Sequence, residues 1–287
     1  MKFIKYETKE EFLENNLSIL LREEARNEKI IGLIMEHDSE KVNRWLLGRI
    51  EDENDVKLIF IVDDDRNGLL LYSLDKILEN EVIEFLIDNI VRLNVDLKDI
   101  LVSKENAKNI ANSYINETGK SMLDSEYRYM FKLSKFNEKH ILNEGEKVER
   151  LEENDENLKC IEELIKDMNE AANQNEDCTP EEIERIGRSF LRKGVYVFRN
   201  QDNEIVCQAI TVRKQVNGCS LGGIITLKKH RGKGYAKRCV YEVCNKLLES
   251  NYEYIVLHVK PDNDAAISVY KKIGFEQIDE LEKIKFV

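Results

Sequence analysis

The residues best placed to do chemistry lie between Leu221 and Glu242, in LGGIITLKKHRGKGYAKRCVYE. Leu221 to Leu227 is a short apolar run broken by Gly222 and Gly223, and it reads as a strand. A basic loop follows, Lys228-Lys229-His230-Arg231-Gly232-Lys233-Gly234. Then comes a helical pattern with Ala236, Val240, Val243, Cys244, Leu247 and Leu248 on one face. A strand, a Gly-rich basic loop and a helix N-terminus in that order make a cradle for an anion. The first-turn N–H groups of a helix lack intrahelical partners and point outward, and the helix dipole favours negative charge there. Gly232 and Gly234 let the backbone approach a phosphate and take up φ values barred to other residues. The competing reading is a basic turn that caps a helix. A nucleotide site is disfavoured, because the loop has neither a Gly-Lys-Ser/Thr ending nor a Gly-x-Gly-x-x-Gly pattern.

Downstream, Tyr254-Ile-Val-Leu-His-Val259 reads as a buried strand, and Asn263-x-x-Ala266-x-x-x-Tyr270-x-x-x-Gly274-Phe275 follows it. Arg231-x-x-Gly234-x-Ala236 resembles the Arg/Gln-x-x-Gly-x-Gly/Ala signature of the GNAT N-acetyltransferase superfamily. The Asn263 to Phe275 frame resembles the next segment of the same family at its usual spacing. The resemblance covers the second half of the chain well and the first half poorly. It implies an α/β fold with a mixed sheet, that of the acyl-CoA N-acyltransferases. The implied reaction moves an acetyl group from acetyl-CoA to a primary amine by direct attack on the thioester, with no metal.

On that resemblance the backbone amides of Ile224, Ile225 and Thr226 bind the acetyl carbonyl and the pantetheine arm. Arg231, Gly232, Lys233, Gly234, Tyr235 and Ala236 hold the pyrophosphate. Tyr270 stands where the family's tyrosine protonates the departing thiolate, and Asn263 fixes the strand–helix turn beside the pantetheine. A core tyrosine and a plain helix cap are the competing readings. Some family members place a glutamate base in a Leu-Glu-Val frame, where this chain has Leu257-His258-Val259. His258 is thus the candidate base, since an imidazole can relay a proton near neutral pH. An incidental strand histidine is an equal reading, with the base then a water chain or a carboxylate elsewhere. The alternative function is a non-catalytic acyl-CoA-binding or sensing protein.

The elements that must position these residues can be read in order. In the second half, Val148 to Leu151 reads as a strand, and Asn154 caps a helix carrying Leu158, Ile161, Leu164, Ile165 and Met168. The loop Ala172 to Cys178 follows. Thr179-Pro180-Glu181-Glu182 then has the form of a capping box with proline in the first turn. These two helices are where the family shapes its acceptor site, and Glu176, Asp177, Glu181, Glu182 and Glu184 either attract an amine or simply solvate a helix start. Strands follow at Gly194 to Phe198 and Ile205 to Val212. Residues 278–287 read as one more strand.

In the first half, residues 8–36 read as one or two helices, and Ser39 precedes a short helix carrying Val42, Trp45, Leu46 and Leu47. Trp45, the sole tryptophan, reads as core or domain interface, with a pocket-lining role as the alternative. Lys57 to Val62 and Gly68 to Ser73 form a hairpin pattern around the turn Asp63 to Gly68, whose three aspartates read as solvated and not as a metal site, since no further carboxylates fall at a calcium-loop spacing. The rest reads as helix from Glu79 to Leu93, strand from Asp99 to Ser103, helix from Glu105 to Thr118 capped by Gly119, and strand from Glu126 to Leu133. The half thus ends like the second half, as a degenerate GNAT-like repeat or an accessory α/β domain without the phosphate loop. Residues 134–147 are polar and read as a linker, so the expected domains are 1–140 and 141–287, in tandem.

Composition bounds the rest. The chain has 287 residues, enough for two domains with cores, and a net charge of −12, which disfavours nucleic-acid binding. No apolar run reaches the ~20 residues of a membrane span, and the opening Met-Lys-Phe-Ile-Lys-Tyr-Glu lacks a signal-peptide core. All six cysteines lie between Cys160 and Cys244 with no zinc-like spacing, which reads as reduced thiols in the cytoplasm. The expected partner is a small-molecule or peptide amine, its identity unreadable. A homodimer is left open.

Overall fold

A computed structural model describes residues 1–53, 55–171 and 179–287. The loop Ala172 to Cys178, with Glu176 and Asp177 of the acidic cluster, lies outside the described residues. The chain divides into two compact units. Unit 1 is Met1–Met130 with Val259–Asp262 and Gln277–Val287, and unit 2 is Phe131–His258 with Asn263–Glu276.

In unit 1 four antiparallel strands come first in space: β1 (Lys2–Tyr6), β2 (Leu46–Asp52), β3 (Asp55–Val62) and β4 (Gly68–Ser73). Next to β4 lies β5 (Asp99–Ser103) in parallel, and next to β5 lies β12 (Glu276–Phe286), antiparallel. Helices α1 (Lys9–Leu20), α2 (Glu28–Glu36) and the single turn α3 (Ser39–Val42) cover one face. They bury Phe12, Leu20, Ile31 and Ile34 against Leu47, Ile59 and Ile61. Trp45 is in this core, as its type suggested, with its ring N–H donating to Asp64 at 2.8 Å. The other face carries α4 (Asn80–Arg92) and α5 (Lys104–Thr118), the latter ended by Gly119 at φ 71°. The strand β6 (Met122–Leu133) belongs to unit 1 as far as Met130.

Two local expectations are corrected. Leu46 and Leu47 open β2 instead of continuing a helix from Ser39, because Leu47 pairs with Tyr6 on one side and Ile61 on the other. Val42, Trp45 and Leu46 fall at helical spacing by coincidence, and ladder pairing overrides it. Asp63 is buried, not solvated. It accepts from the Arg66 amide at 2.9 Å and the Arg66 guanidinium at 2.7 Å, which stiffens the β3–β4 turn.

Unit 2 runs β7 (Lys147–Leu151), α6 (Asp155–Ala171), α7 (Pro180–Lys193), β8 (Val195–Arg199), β9 (Ile205–Lys214), β10 (Gly218–Thr226), α8 (Tyr235–Glu249), β11 (Tyr254–Val259) and α9 (Asp264–Ile273). Strands β7 to β10 are antiparallel neighbours, and β11 adds to β10 in parallel. The helix starts have the expected chemistry. Asn154 accepts from the Asn157 amide at 2.8 Å, and Thr179 and Glu182 close a reciprocal capping box at 3.2 and 2.8 Å. Leu158, Ile161, Ile165, Ile183 and Leu191 of α6 and α7 cover Val195, Val197 and Ile210 on one face of the sheet. On the other face α8 packs on β8, β9 and β10. The polar segment 134–147 is not a free linker. Asn137 bonds the carbonyls of Ile273 and Lys271 at 3.0 Å each, and the Phe136 ring lies tilted against Tyr241 of α8, 4.3 Å between centres.

Candidate functional site

The site begins where β10 and β11 separate. Their parallel ladder pairs Gly218 with Tyr254, Cys219 with Ile255, Ser220 with Val256 and Leu221 with Leu257, and it stops there. Strand β10 runs on to Thr226, where Ile225 and Thr226 pair with Gln208 and Cys207 of β9. The register on β9 also jumps between Gly222–Ile210 and Ile225–Gln208, so Gly223 and Ile224 form a bulge. Gly223 adopts φ 54°, and a Cβ there would meet Ile210 Cδ1 at 2.4 Å. The conformation favours glycine, and a side chain there would also have to displace the end of Ile210. Beyond the last rung, the backbone of Ile224, Ile225 and Thr226 therefore faces an open slot, and all three are only half-buried although they sit mid-sheet.

Below the slot the chain makes a single 3-10 turn at Lys228–His230 and enters the loop. The Arg231 Nε donates to the Thr226 carbonyl at 3.0 Å, which ties the loop back to the strand end. Gly232 and Gly234 have φ 77° and 73°, and Gly234 is the N-cap of α8. The first bond inside α8 runs from the Arg238 amide to the Gly234 carbonyl at 3.3 Å. The amides of Tyr235, Ala236 and Lys237 thus precede the helix's own ladder, with no side-chain cap and no acidic residue in the first turn. Lys228, Lys229, Arg231 and Lys233 surround them, exposed. Each feature favours an anion in front of the helix.

The loop is braced from two sides. The Lys228 amide donates to Asp167 of α6 at 2.9 Å, and its ammonium reaches Glu170 at 2.5 Å. Arg238 lies over the Tyr235 ring at 4.9 Å while donating to Glu146 at 3.0 Å. Sequence reasoning missed Arg238. Its signal was a cation one helical turn past the glycine loop, flanked by aromatic residues.

The remaining candidates fall around the slot. His258 is the first residue of β11 past the last rung, half-buried. Asn263 caps α9, its side chain accepting from the Ala266 amide at 3.1 Å. The plain-cap role is thus occupied, and its exposed amide nitrogen stays available. Tyr270 is on the inner face of α9, 6 % exposed, between Phe131 and Phe275. Burial, then the nearby thiols Cys207 and Cys244, pushes its hydroxyl well above the ordinary tyrosine value. Thr226 donates to the buried Cys207 sulfur at 3.4 Å. Among the described residues no group of His, Cys, Asp and Glu could hold a metal.

Unit 1 has a parallel slot of its own. The β4–β5 ladder stops at Leu70–Leu101, although β4 continues to Ser73 and β5 to Ser103. Here the gap is laced shut. Asn106, fully buried, accepts from the Leu78 amide at 2.8 Å and donates to Ser103 Oγ at 2.9 Å and the Lys76 carbonyl at 3.2 Å. Tyr114 matches Tyr270 in position, eleven residues past the strand end, and its hydroxyl receives the Leu97 amide at 2.8 Å. The residues 74–79 before α4 contain no glycine.

Residues 197–284 match the family described as FR47-like protein, a span containing the slot, the loop and the Asn263–Tyr270 frame. Among curated proteins none matches the chain in sequence. Solved structures resemble it throughout. A Drosophila protein is 13 % identical, over 99 % of this chain and 98 % of that one, with a TM-score of 0.67. A GCN5-related N-acetyltransferase from Sphaerobacter thermophilus is 13 % identical, over 99 % and 95 %, at 0.60. A tandem GNAT protein from the clavulanic acid biosynthesis pathway is 11 % identical, over 99 % and 97 %, at 0.50. At such identities the likeness is one of fold. The chain has the GNAT acetyltransferase fold, as mixed α/β architecture in tandem.

Proposed function

We propose that unit 2 is an N-acetyltransferase domain that takes acetyl-CoA as donor and a primary amine, small-molecule or peptide, as acceptor. The observation that carries this is the alignment of the β10–β11 slot with the uncapped first turn of α8. An elongated ligand with a phosphate at one end and a thioester at the other fits that arrangement. The amides of Tyr235, Ala236 and Lys237 take the pyrophosphate with Arg231 and Lys233 alongside, and the amides of Ile224 to Thr226 take the pantetheine and acetyl oxygen. Asn263 offers its amide nitrogen to the pantetheine.

The amine nitrogen attacks the thioester carbon. The C–N bond forms, the C–S bond breaks, and the sulfur leaves with the electron pair. One proton leaves the nitrogen toward His258 or through water to solvent, and one reaches the thiolate from the direction of Tyr270. Unit 1 serves the fold and not the donor, since Asn106 fills its slot. The five described cysteines are all unbridged, which suits a reducing, cytoplasmic setting. A binding or sensing protein would keep the same cradle, so turnover has to be measured as well as affinity.

The test is calorimetry with acetyl-CoA on the wild type and on Gly234→Asp with Ala236→Asp. The two carboxylates stand where the pyrophosphate charge would sit. Micromolar binding that falls by about 100-fold or more in the variant supports the cradle. A folded wild type that does not bind acetyl-CoA removes the basis of the reading.

A further inference from the structure

Gln208 stands mid-strand in β9, opposite Val197 of β8 and Ile225 of β10. It is fully buried, on the face of β9 that also carries Ile210 and that α6 and α7 cover. A carboxamide in such surroundings needs a partner for each end. Its nitrogen has one: Nε2 donates to the Gly223 carbonyl at 3.3 Å. Since a carbonyl only accepts, that contact fixes which way round the amide sits. Its oxygen is buried and has no hydrogen-bond partner among the described residues. A native fold rarely leaves such an acceptor empty, because an apolar side chain of the same shape would be more stable there.

The position says what the oxygen is for. Gly223 is the bulge residue, so the carboxamide rests against the backbone that turns Ile224 and Ile225 toward the slot. The opposite face of β9 is taken: the adjacent Cys207 meets Cys239 of α8 there. Oε1 lies on the α6–α7 side of β9, beside Gly223 to Ile225, which are only half-buried. We propose that Gln208 orients the acceptor, its Oε1 receiving one N–H of the primary amine. This rests on the transferase reading above. A neutral primary amine has two N–H bonds and one lone pair. Holding one N–H at Oε1 leaves the lone pair free to face the thioester carbon, and Nε2 keeps the oxygen from rotating away. The site therefore selects a nitrogen that carries hydrogen and disfavours a carboxylate, which would bring acceptor against acceptor.

The test uses the full chain with selective 15N-glutamine labelling. The sequence has five glutamines, so the side-chain amide spectrum has five pairs, and the Gln208 pair is assigned by its loss in Gln208→Met. Methylammonium chloride is titrated into the CoA-saturated protein, with tetramethylammonium chloride, which has no N–H, as the control. A saturable shift of the Gln208 pair with methylammonium alone supports the proposal. No saturable shift, or an equal shift with tetramethylammonium, overturns it. Gln208→Met supplies the second readout: acetyl-CoA affinity within about twofold of wild type and a thermal midpoint unchanged or raised by about 2–4 °C. A midpoint lowered by that much would make Gln208 a structural link and overturn the role. Wild type that does not bind CoA sinks the transferase reading itself, whereas CoA binding with an unmoved Gln208 signal sinks only this inference.

Discussion

Tyr270 shows how burial sets what a residue can do. Its raised pKa keeps the hydroxyl protonated across the physiological range, as a proton donor requires. A tyrosine at its ordinary value of 10.0 is already a weaker acid than a thiol, whose unperturbed pKa is about 8.5, and the shift widens that gap. Complete proton transfer to a thiolate is then uphill until bound donor changes the surroundings, and stabilisation by the O–H dipole comes first. The shift also has a consequence for stability. Below the ordinary value of 10.0 the proton is bound in both folded and unfolded chains, and stability does not vary with pH through this group. Above it the unfolded chain releases the proton while the folded one retains it, so stability falls as pH rises. Cys219, pushed up to about 12 by burial, adds a loss of the same sign. The wild-type thermal midpoint is expected to fall between pH 10 and pH 12. In Tyr270→Phe the fall should be shallower while acetyl-CoA affinity stays within about twofold, since only one hydroxyl is lost. Superimposable midpoint curves would show that Tyr270 is not buried in this way.

Among the elements, β10 and β11 decide the site because their four rungs fix where the strands part. Gly218 opens that ladder. A Cβ there would lie 2.3 Å from two atoms of the Tyr254 ring, which lies against the glycine with the Lys132 ammonium 4.9 Å from its centre. Replacing a strand glycine by alanine gains about 0.5–1 kcal/mol of backbone entropy, whereas forcing a rigid ring out of a packed position costs about 1–3 kcal/mol. The clash prevails, so Gly218→Ala should lower the thermal midpoint by about 2–4 °C and weaken acetyl-CoA binding by shifting the slot. A variant at least as stable as wild type would contradict this. The loop Arg231 to Gly234 and the Thr179 capping box were legible in sequence because each is written in adjacent residues: glycines where φ is positive, and a hydroxyl three residues from a carboxylate. Strands β1 and β2 were not, since Lys2 to Tyr6 and Leu46 to Asp52 become strands by pairing with each other and with β3. The bulge and the empty Gln208 oxygen were equally hidden. A lone glutamine in Ile205 to Val212 looks the same whether its amide is satisfied or not.

At the scale of the molecule the least local feature is β12. It follows α9 of unit 2 in sequence, yet Gln277–Val287 groups with unit 1, where Glu282 pairs with Val102 and Ile284 with Ile100. Periodicity reveals that residues 278–287 form a strand but not which sheet receives it, because the choice depends on partners far away in the chain. The core of unit 1 therefore waits on a late segment. Ile284 and Phe286 are among its buried residues, and Phe286 meets Tyr114 at 4.9 Å between ring centres. Truncating a buried phenylalanine costs about 3–5 kcal/mol through lost transfer energy and the cavity left behind. Phe286→Ala should thus loosen the elements that Phe286 and Tyr114 brace, β5 and α5. Hydrogen exchange followed by mass spectrometry should show their amides exchanging about 100-fold faster or more, that free energy expressed as an opening equilibrium. The β8–β9 amides of unit 2 should keep their protection, and acetyl-CoA affinity should hold. Unchanged exchange in β5 and α5 would mean that β12 is not part of the unit 1 core. Loss of protection confined to β8–β9 would place the strand's energetic contribution in the other unit.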